Sequence, residues 1–153
     1  MLKVPEFNLR AKEVLPGIDG RKMSKSYGNQ IPLFEEGKKM RKKVMKIKTD
    51  SQEPEVPKDP DDSLVMDIFR HVASTEEIQS LEARYRKGIG WGEAKQVLFE
   101  RLQEEFAEKT EQFNYWVGHP EKVAEILNDC GQSARRLATE QLRMVKEAVG
   151  VKS

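Results

Sequence analysis

The spacing of apolar positions changes along the chain. Up to residue 34 they are short and broken. Val14 and Leu15 stop at Pro16-Gly17, Asp19-Gly20 marks a second turn, and Pro32 interrupts the group at 31–34. This stretch predicts strand and loop. From Phe34 the spacing becomes helical: Phe34, Gly37, Met40, Val44 and Ile47 recur three or four apart. That predicts a helix over 35–47 with one buried face. Glu35 and Glu36 fall in its first turn and Lys42, Lys43 and Lys46 in later ones, an order that complements the helix dipole. Pro54, Pro57 and Pro60 follow three apart. Each lacks a backbone donor, so residues 49–62 predict an extended connector.

Helical patterning then resumes. Asp62 or Ser63 can cap a short helix with Leu64, Val65, Ile68, Phe69 and Val72 inside. Ser74 and Glu77 have capping-box spacing, opening a helix with Ile78, Leu81 and Tyr85 that Gly88 can close. A long helix over 91–117 carries Leu98, Phe99, Leu102, Phe106, Phe113 and Trp116 on its apolar side. Gly118 ends it, and Pro120 opens a last helix at a position where a missing N–H costs nothing. The stripe of that helix is Val123, Ile126, Leu127, Cys130, Ala134, Leu137, Leu142, Val145 and Ala148; Gly131 inside it predicts a close helix contact or a mild bend. Two long antiparallel helices with shorter ones beside them predict a mainly α fold, a helical bundle with these stripes as its core. Trp91, between Gly90 and Gly92, reads either as a buried first-turn anchor or as an exposed platform.

Composition narrows the class. Of 153 residues, 37% are hydrophobic and 35% charged, and large apolar side chains recur throughout, which excludes general disorder. Cys130 is the single cysteine, and His71 and His119 are the two histidines. Neither a disulfide framework nor a zinc-spaced cluster can be built from them, and no metal site is expected. No apolar run approaches the roughly 20 residues of a membrane helix. A reducing, cytoplasmic compartment is the expectation, with no membrane partner. The net charge of +1 conceals an asymmetry: residues 1–48 hold 13 Lys and Arg against 5 Asp and Glu, the rest 14 against 21. The basic end reads as a surface for phosphates or nucleic acid, or as a solvated helix face.

The chemistry is concentrated in residues 15–29. Lys22 and Lys25 can place ammonium donors on phosphate oxygens. Ser24 and Ser26 add neutral hydrogen bonds, and Gly17, Gly20 and Gly28 leave the loop free to change shape. The Walker pattern is absent. On residue chemistry alone this is a mobile anion-binding loop.

Lys22-Met23-Ser24-Lys25-Ser26 also matches, letter for letter, the KMSKS signature of class I aminoacyl-tRNA synthetases. The preceding Leu-Pro-Gly-Ile-Asp-Gly-Arg and the following Tyr-Gly-Asn resemble the tryptophanyl-tRNA synthetases in particular. The likeness continues through Ile47-Lys48-Thr49-Asp50-Ser51 to Ala134, Leu137, Val145, Ala148 and Gly150. Such enzymes begin with a nucleotide-binding α/β domain bearing a HIGH-type motif, and neither His71-Val72-Ala73-Ser74 nor His119-Pro120-Glu121-Lys122 resembles it.

The resemblance therefore implies a C-terminal fragment. Residues 1–34 would be the tail of the catalytic domain with its loop, a short strand and loop remnant. Residues 35–153 would be the helical domain of the anticodon-binding type. The parent would activate tryptophan with ATP, supplied with Mg2+, and pass it to tRNA(Trp), acting as a homodimer; the fragment alone would be inactive. Lys25 and then Lys22 are the implied catalytic cations. Ser24 and Ser26 are supporting donors in the ATP-binding loop, and Met23 is its apolar anchor. Arg84, Arg86, Lys87 and Trp91, around one inter-helix loop, are candidates for contacting unstacked tRNA bases. The helix over 35–47 could lie along tRNA phosphates or stand solvated behind the loop. A tyrosyl enzyme and a non-catalytic helical RNA-binding or interaction module are the alternative readings.

Overall fold

Caps legible in the sequence set several of the helix ends. The computed structural model describes residues 14–34 and 37–151. Among these, the α-helices in order are α1 (Gly37–Val44), α2 (Leu64–Phe69), α3 (Thr75–Lys87), α4 (Trp91–Gly118) and α5 (Pro120–Ala148), with 3-10 turns at Lys25–Tyr27 and Pro60–Asp62. No sheet forms among the described residues; an isolated antiparallel bridge joins Pro16 to Lys22. The mainly α expectation holds.

Ser63 caps α2 by accepting from the Met66 amide. Ser74 and Glu77 close a reciprocal capping box on α3. Gly88 (φ 100°) ends α3, where an added Cβ would lie 2.6 Å from the Glu55 carbonyl oxygen. The helix predicted over 35–47 is shorter at its far end: α1 stops at Val44. The Ile47 amide donates to the Val44 carbonyl in a tight turn that still leaves Ile47 buried. Glu35 and Glu36, and the first 13 residues, lie outside the described residues.

By compactness the described residues divide into 14–111 and 112–151, the division falling within α4. The first unit holds the core. Ile31, Met40 and Val44, Ile47, four residues of α2, Leu81 and Tyr85, Ile89, and Ala94, Leu98, Phe99 and Leu102 form one buried cluster. Removing this much apolar surface from water is what opposes the entropy of ordering the chain. Ile18 and Met23 pack against the same cluster, so the polar loop is fastened to the helical core by two apolar side chains.

Three buried polar groups knit this unit. The Ser63 and Tyr85 hydroxyls meet at 3.0 Å, and burial pushes the Tyr85 phenol above its ordinary pKa. Lys58, 4% exposed, donates its ammonium to the carbonyls of Glu53 (2.7 Å) and Val56 (2.9 Å) and lies 5.5 Å from the Trp91 ring centre. The proline-rich connector, exposed over 50–57, is thus pinned at its end. Lys95, held down in pKa by burial, reaches the Met45 carbonyl and Thr49 hydroxyl at 3.3 Å. Tyr85→Phe removes one buried hydrogen bond while Ser63 keeps the Met66 amide. A loss of about 1 kcal/mol is expected in urea unfolding.

In the second unit, the turn between α4 and α5 is organised by Tyr115. Its ring stacks on His119 with centroids 4.2 Å apart, and its hydroxyl accepts from Lys122. Burial differs here from the sequence expectation. No residue of α5 is buried; Leu127 is 66% and Leu137 67% exposed. Phe113, Trp116 and Cys130 are exposed too. A helical period reveals which side chains share a face, but not whether that face is covered. An added Cβ at Gly131 meets nothing within 4 Å, so the close contact expected there is not found.

Candidate phosphate-binding loop

Residues 15–29 fold as a small hairpin-like loop closed by their own backbone. The Met23 amide donates to the Leu15 carbonyl (2.9 Å), Gly17 to Arg21 (2.7 Å) and Ile18 to Asn29 (2.9 Å). Its centre is Asn29, 2% exposed. The Asn29 amide nitrogen donates to the Asp19 carboxylate (2.8 Å) and the Lys22 carbonyl (3.1 Å), and its oxygen accepts from the Ser24 amide (2.8 Å). One buried side chain therefore holds both flanks of the first lysine. Gly17 is required beside it, since an added Cβ would fall 2.3 Å from the Asn29 side chain.

Asp19 completes the frame. It accepts from the Arg21 backbone (3.0 Å) and guanidinium (2.8 Å), and the Arg21 guanidinium carbon sits 4.4 Å from the centre of the Tyr27 ring. The Asn29 amide above all, and then Arg21, hold the Asp19 carboxyl down to about 2 from an ordinary 3.8. A carboxyl whose pKa is lower folded than unfolded stabilises above the unfolded value. Protons bind the unfolded chain first as pH falls, so this contribution is complete above about pH 4 and fades toward pH 2. Between those values the urea midpoint is expected to fall more steeply for the native chain than for Asp19→Asn. Parallel slopes would refute the assignment.

On this frame Lys25–Tyr27 form the 3-10 turn. Ser24 caps it by accepting from the Ser26 amide, and Gly28 (φ 62°) closes it onto the Lys25 carbonyl. Lys22, Lys25 and Ser26 are exposed, while Met23 is half-buried against the core. Neither Lys22 nor Lys25 has an acidic partner among the described residues. From α1, Lys43 donates to the Gly28 carbonyl at 3.0 Å. Lys25 and Lys43 line a cleft of about 410 Å³ with Lys39, Lys42 and Lys46.

Arg84 pairs with Glu93 and Arg86 with Glu82. Trp91 packs edge-on against Tyr85, donates to Asp50 at 2.8 Å and lines a cleft with Asp19, Asp50 and Asp62. Lys87 is exposed without an acidic partner among the described residues. Among those residues, no group of three His, Cys, Asp or Glu is placed to hold a metal ion. No helix there is long and apolar enough to cross a membrane.

Sequence reasoning missed Asn29, Asp19 and Lys43. Asn29 stood in the segment as one more polar residue, and Asp19-Gly20 as a turn. The available signal was a short Asn directly after a turn glycine, Gly28, a setting that favours side-chain to backbone bonding.

The family model for class I tRNA synthetases (W and Y) matches residues 2–107. The chain belongs to that family. Its curated relatives include tryptophan–tRNA ligases. The enzyme of Neisseria meningitidis is 43% identical over 140 residues, 92% of this chain and 42% of that protein. The enzyme of Pseudomonas aeruginosa is 41% identical over 139 residues, 91% of this chain and 31% of that protein. A crystal structure of tryptophanyl-tRNA synthetase from Campylobacter jejuni, complexed with ADP and tryptophan, superposes with a TM-score of 0.84. It is 34% identical and covers 91% of this chain and 44% of that one. The chain thus spans less than half the length of the synthetases it matches. The KMSKS loop and its Asn29 frame lie inside the stretch matched by the family model.

Proposed function

We propose that this chain supplies the phosphate-stabilising loop and the helical domain of a tryptophan–tRNA ligase, the rest of whose catalytic domain lies in sequence beyond it. Residues 1–34 then belong to the catalytic domain and 35–153 to the tRNA-binding one. The observation that carries the reading is the loop: two exposed lysines without acidic partners among the described residues, Lys25 on a short turn and Lys22 just before it, in a segment clamped by one buried asparagine.

The chemistry follows from that arrangement. In amino-acid activation the tryptophan carboxylate attacks the α-phosphorus of ATP, and the bond to the bridging oxygen breaks. Negative charge gathers on the departing pyrophosphate, which leaves with Mg2+ as part of the nucleotide complex. Ammonium groups that tighten on it at that moment stabilise the transition state more than the ground state. Lys25 takes this role first and Lys22 second. Ser24, Ser26 and the loop amides donate neutral hydrogen bonds, and Met23 anchors the loop through its packing. The adenylate's aminoacyl group then passes to the 3′ end of tRNA(Trp). Among the tRNA candidates, Lys87 remains available, whereas Arg84 and Arg86 must leave acidic partners to engage. Charging tRNA is a step of protein synthesis, so the reading places the chain in the cytoplasm, in a parent enzyme that acts as a homodimer.

The test is ATP–pyrophosphate exchange by the full-length protein. Exchange should depend on tryptophan, and this chain alone should give none. Robust exchange by the chain alone, a preference for tyrosine, or no exchange in the complete protein would overturn the proposal.

A further inference from the structure

We propose that Lys95 is a positioning residue for the KMSKS loop: from α4 it holds the segment 45–50, to which the loop hairpin is tied. The inference rests on the activation chemistry proposed above. Lys95 is 9% exposed, and its ammonium donates to the Met45 carbonyl and the Thr49 hydroxyl, both at 3.3 Å. One turn earlier on α4 the Trp91 indole donates to the Asp50 carboxylate at 2.8 Å. Two donors four residues apart therefore grip one short segment from one face of the helix. Between their targets, the Lys48 amide donates to the Ile18 carbonyl at 2.8 Å, and the Ile18 amide donates to the Asn29 carbonyl at 2.9 Å. The path from Lys95 thus ends on the residue whose side chain bonds the Lys22 carbonyl and the Ser24 amide.

Stability does not account for this lysine. Taking an ammonium out of water is costly unless a carboxylate or several good hydrogen bonds compensate. Lys95 has no acidic partner among the described residues. Its two acceptors are neutral, and both bonds exceed the common N–H···O distance of about 2.9 Å. An apolar side chain of similar length fills the same space without that penalty. What the ammonium supplies, and an apolar group cannot, is direction: it ties a carbonyl and a hydroxyl four residues apart to one point on α4. Activation needs such placement, because a shift of about 1 Å in a catalytic group can cost on the order of 100-fold in rate. A residue that gives up stability for geometry fits a part of the fold that fixes a reacting loop.

The test is Lys95→Met, which keeps the stem and removes the ammonium, with Lys109→Met on the same helix as control. In the complete synthetase Lys95→Met should slow single-turnover adenylate formation about 10-fold while the KM for tryptophan stays within about 2-fold. In the 153-residue chain it should speed exchange of the Lys48 amide about 10-fold or more, yet leave the urea midpoint unchanged or higher. Thr49→Val should give a smaller loss of rate. The double variant should be no slower than Lys95→Met alone, since both changes remove one contact. Lys109→Met should alter none of these. A rate within about 2-fold of native, unchanged exchange at Lys48, a urea midpoint that falls in step with the rate, or losses that multiply in the double variant would overturn the inference. A native complete protein without activation activity would instead sink the proposed function, and Lys48 exchange would still decide whether Lys95 holds the loop.

Discussion

Lys25→Ala in the complete synthetase is expected to slow tryptophan activation about 100- to 1000-fold, the usual loss when one preorganised transition-state donor is removed. The KM for tryptophan should change less than 3-fold. Lys25 is exposed, lacks an acidic partner among the described residues and rides on a turn of three residues, so it has little to bind until charge develops on the leaving group. An interaction made only then lowers kcat and kcat/KM together. Single-turnover adenylate formation, followed alongside tryptophan binding, separates the two quantities. Equal losses in rate and tryptophan affinity would assign Lys25 to ground-state binding instead. Lys22→Ala should show the same pattern at smaller amplitude.

Asn29→Ala should cost about 3 kcal/mol of stability, the sum expected when several buried partners lose a hydrogen bond at once. The Ser24 amide loses its acceptor, the Lys22 carbonyl a donor and the Asp19 carboxylate the contact that most lowers its pKa. Urea unfolding measures the loss, and amide exchange at Ser24 localises it. Asn29→Asp is the sharper variant: it preserves size and the acceptor to Ser24 but sets a second carboxylate against Asp19. It should destabilise more at pH 7 than at pH 3, where a proton can be shared. A cost below 1 kcal/mol for Asn29→Ala, with unchanged exchange at Ser24, would mean that the backbone bonds alone hold the loop.

Much of the architecture was legible because helix ends are written in local chemistry. Ser63, the Ser74–Glu77 pair, Gly88 and Pro120 each act on their own neighbours, so a one-dimensional pattern suffices to find them. The loop was legible as a motif for the same reason: its residues are contiguous. What escaped was whatever depends on distant partners. Asn29 meets Asp19 ten residues away, and Lys43 meets Gly28 fifteen away. The exposure of the α5 stripe and of Phe113 and Trp116 was equally hidden, because periodicity cannot say whether a face is covered. For Arg84 and Arg86 the sequence displayed positive charge without its neutralising partners, Glu93 and Glu82.

Lys58 gives the connector an evolutionary latitude. Its ammonium grips main-chain carbonyls at Glu53 and Val56, atoms that every amino acid possesses. Residues 52, 53, 55 and 56 can therefore drift in identity across related chains without loosening the segment. Position 58 is the one that must keep a long cation.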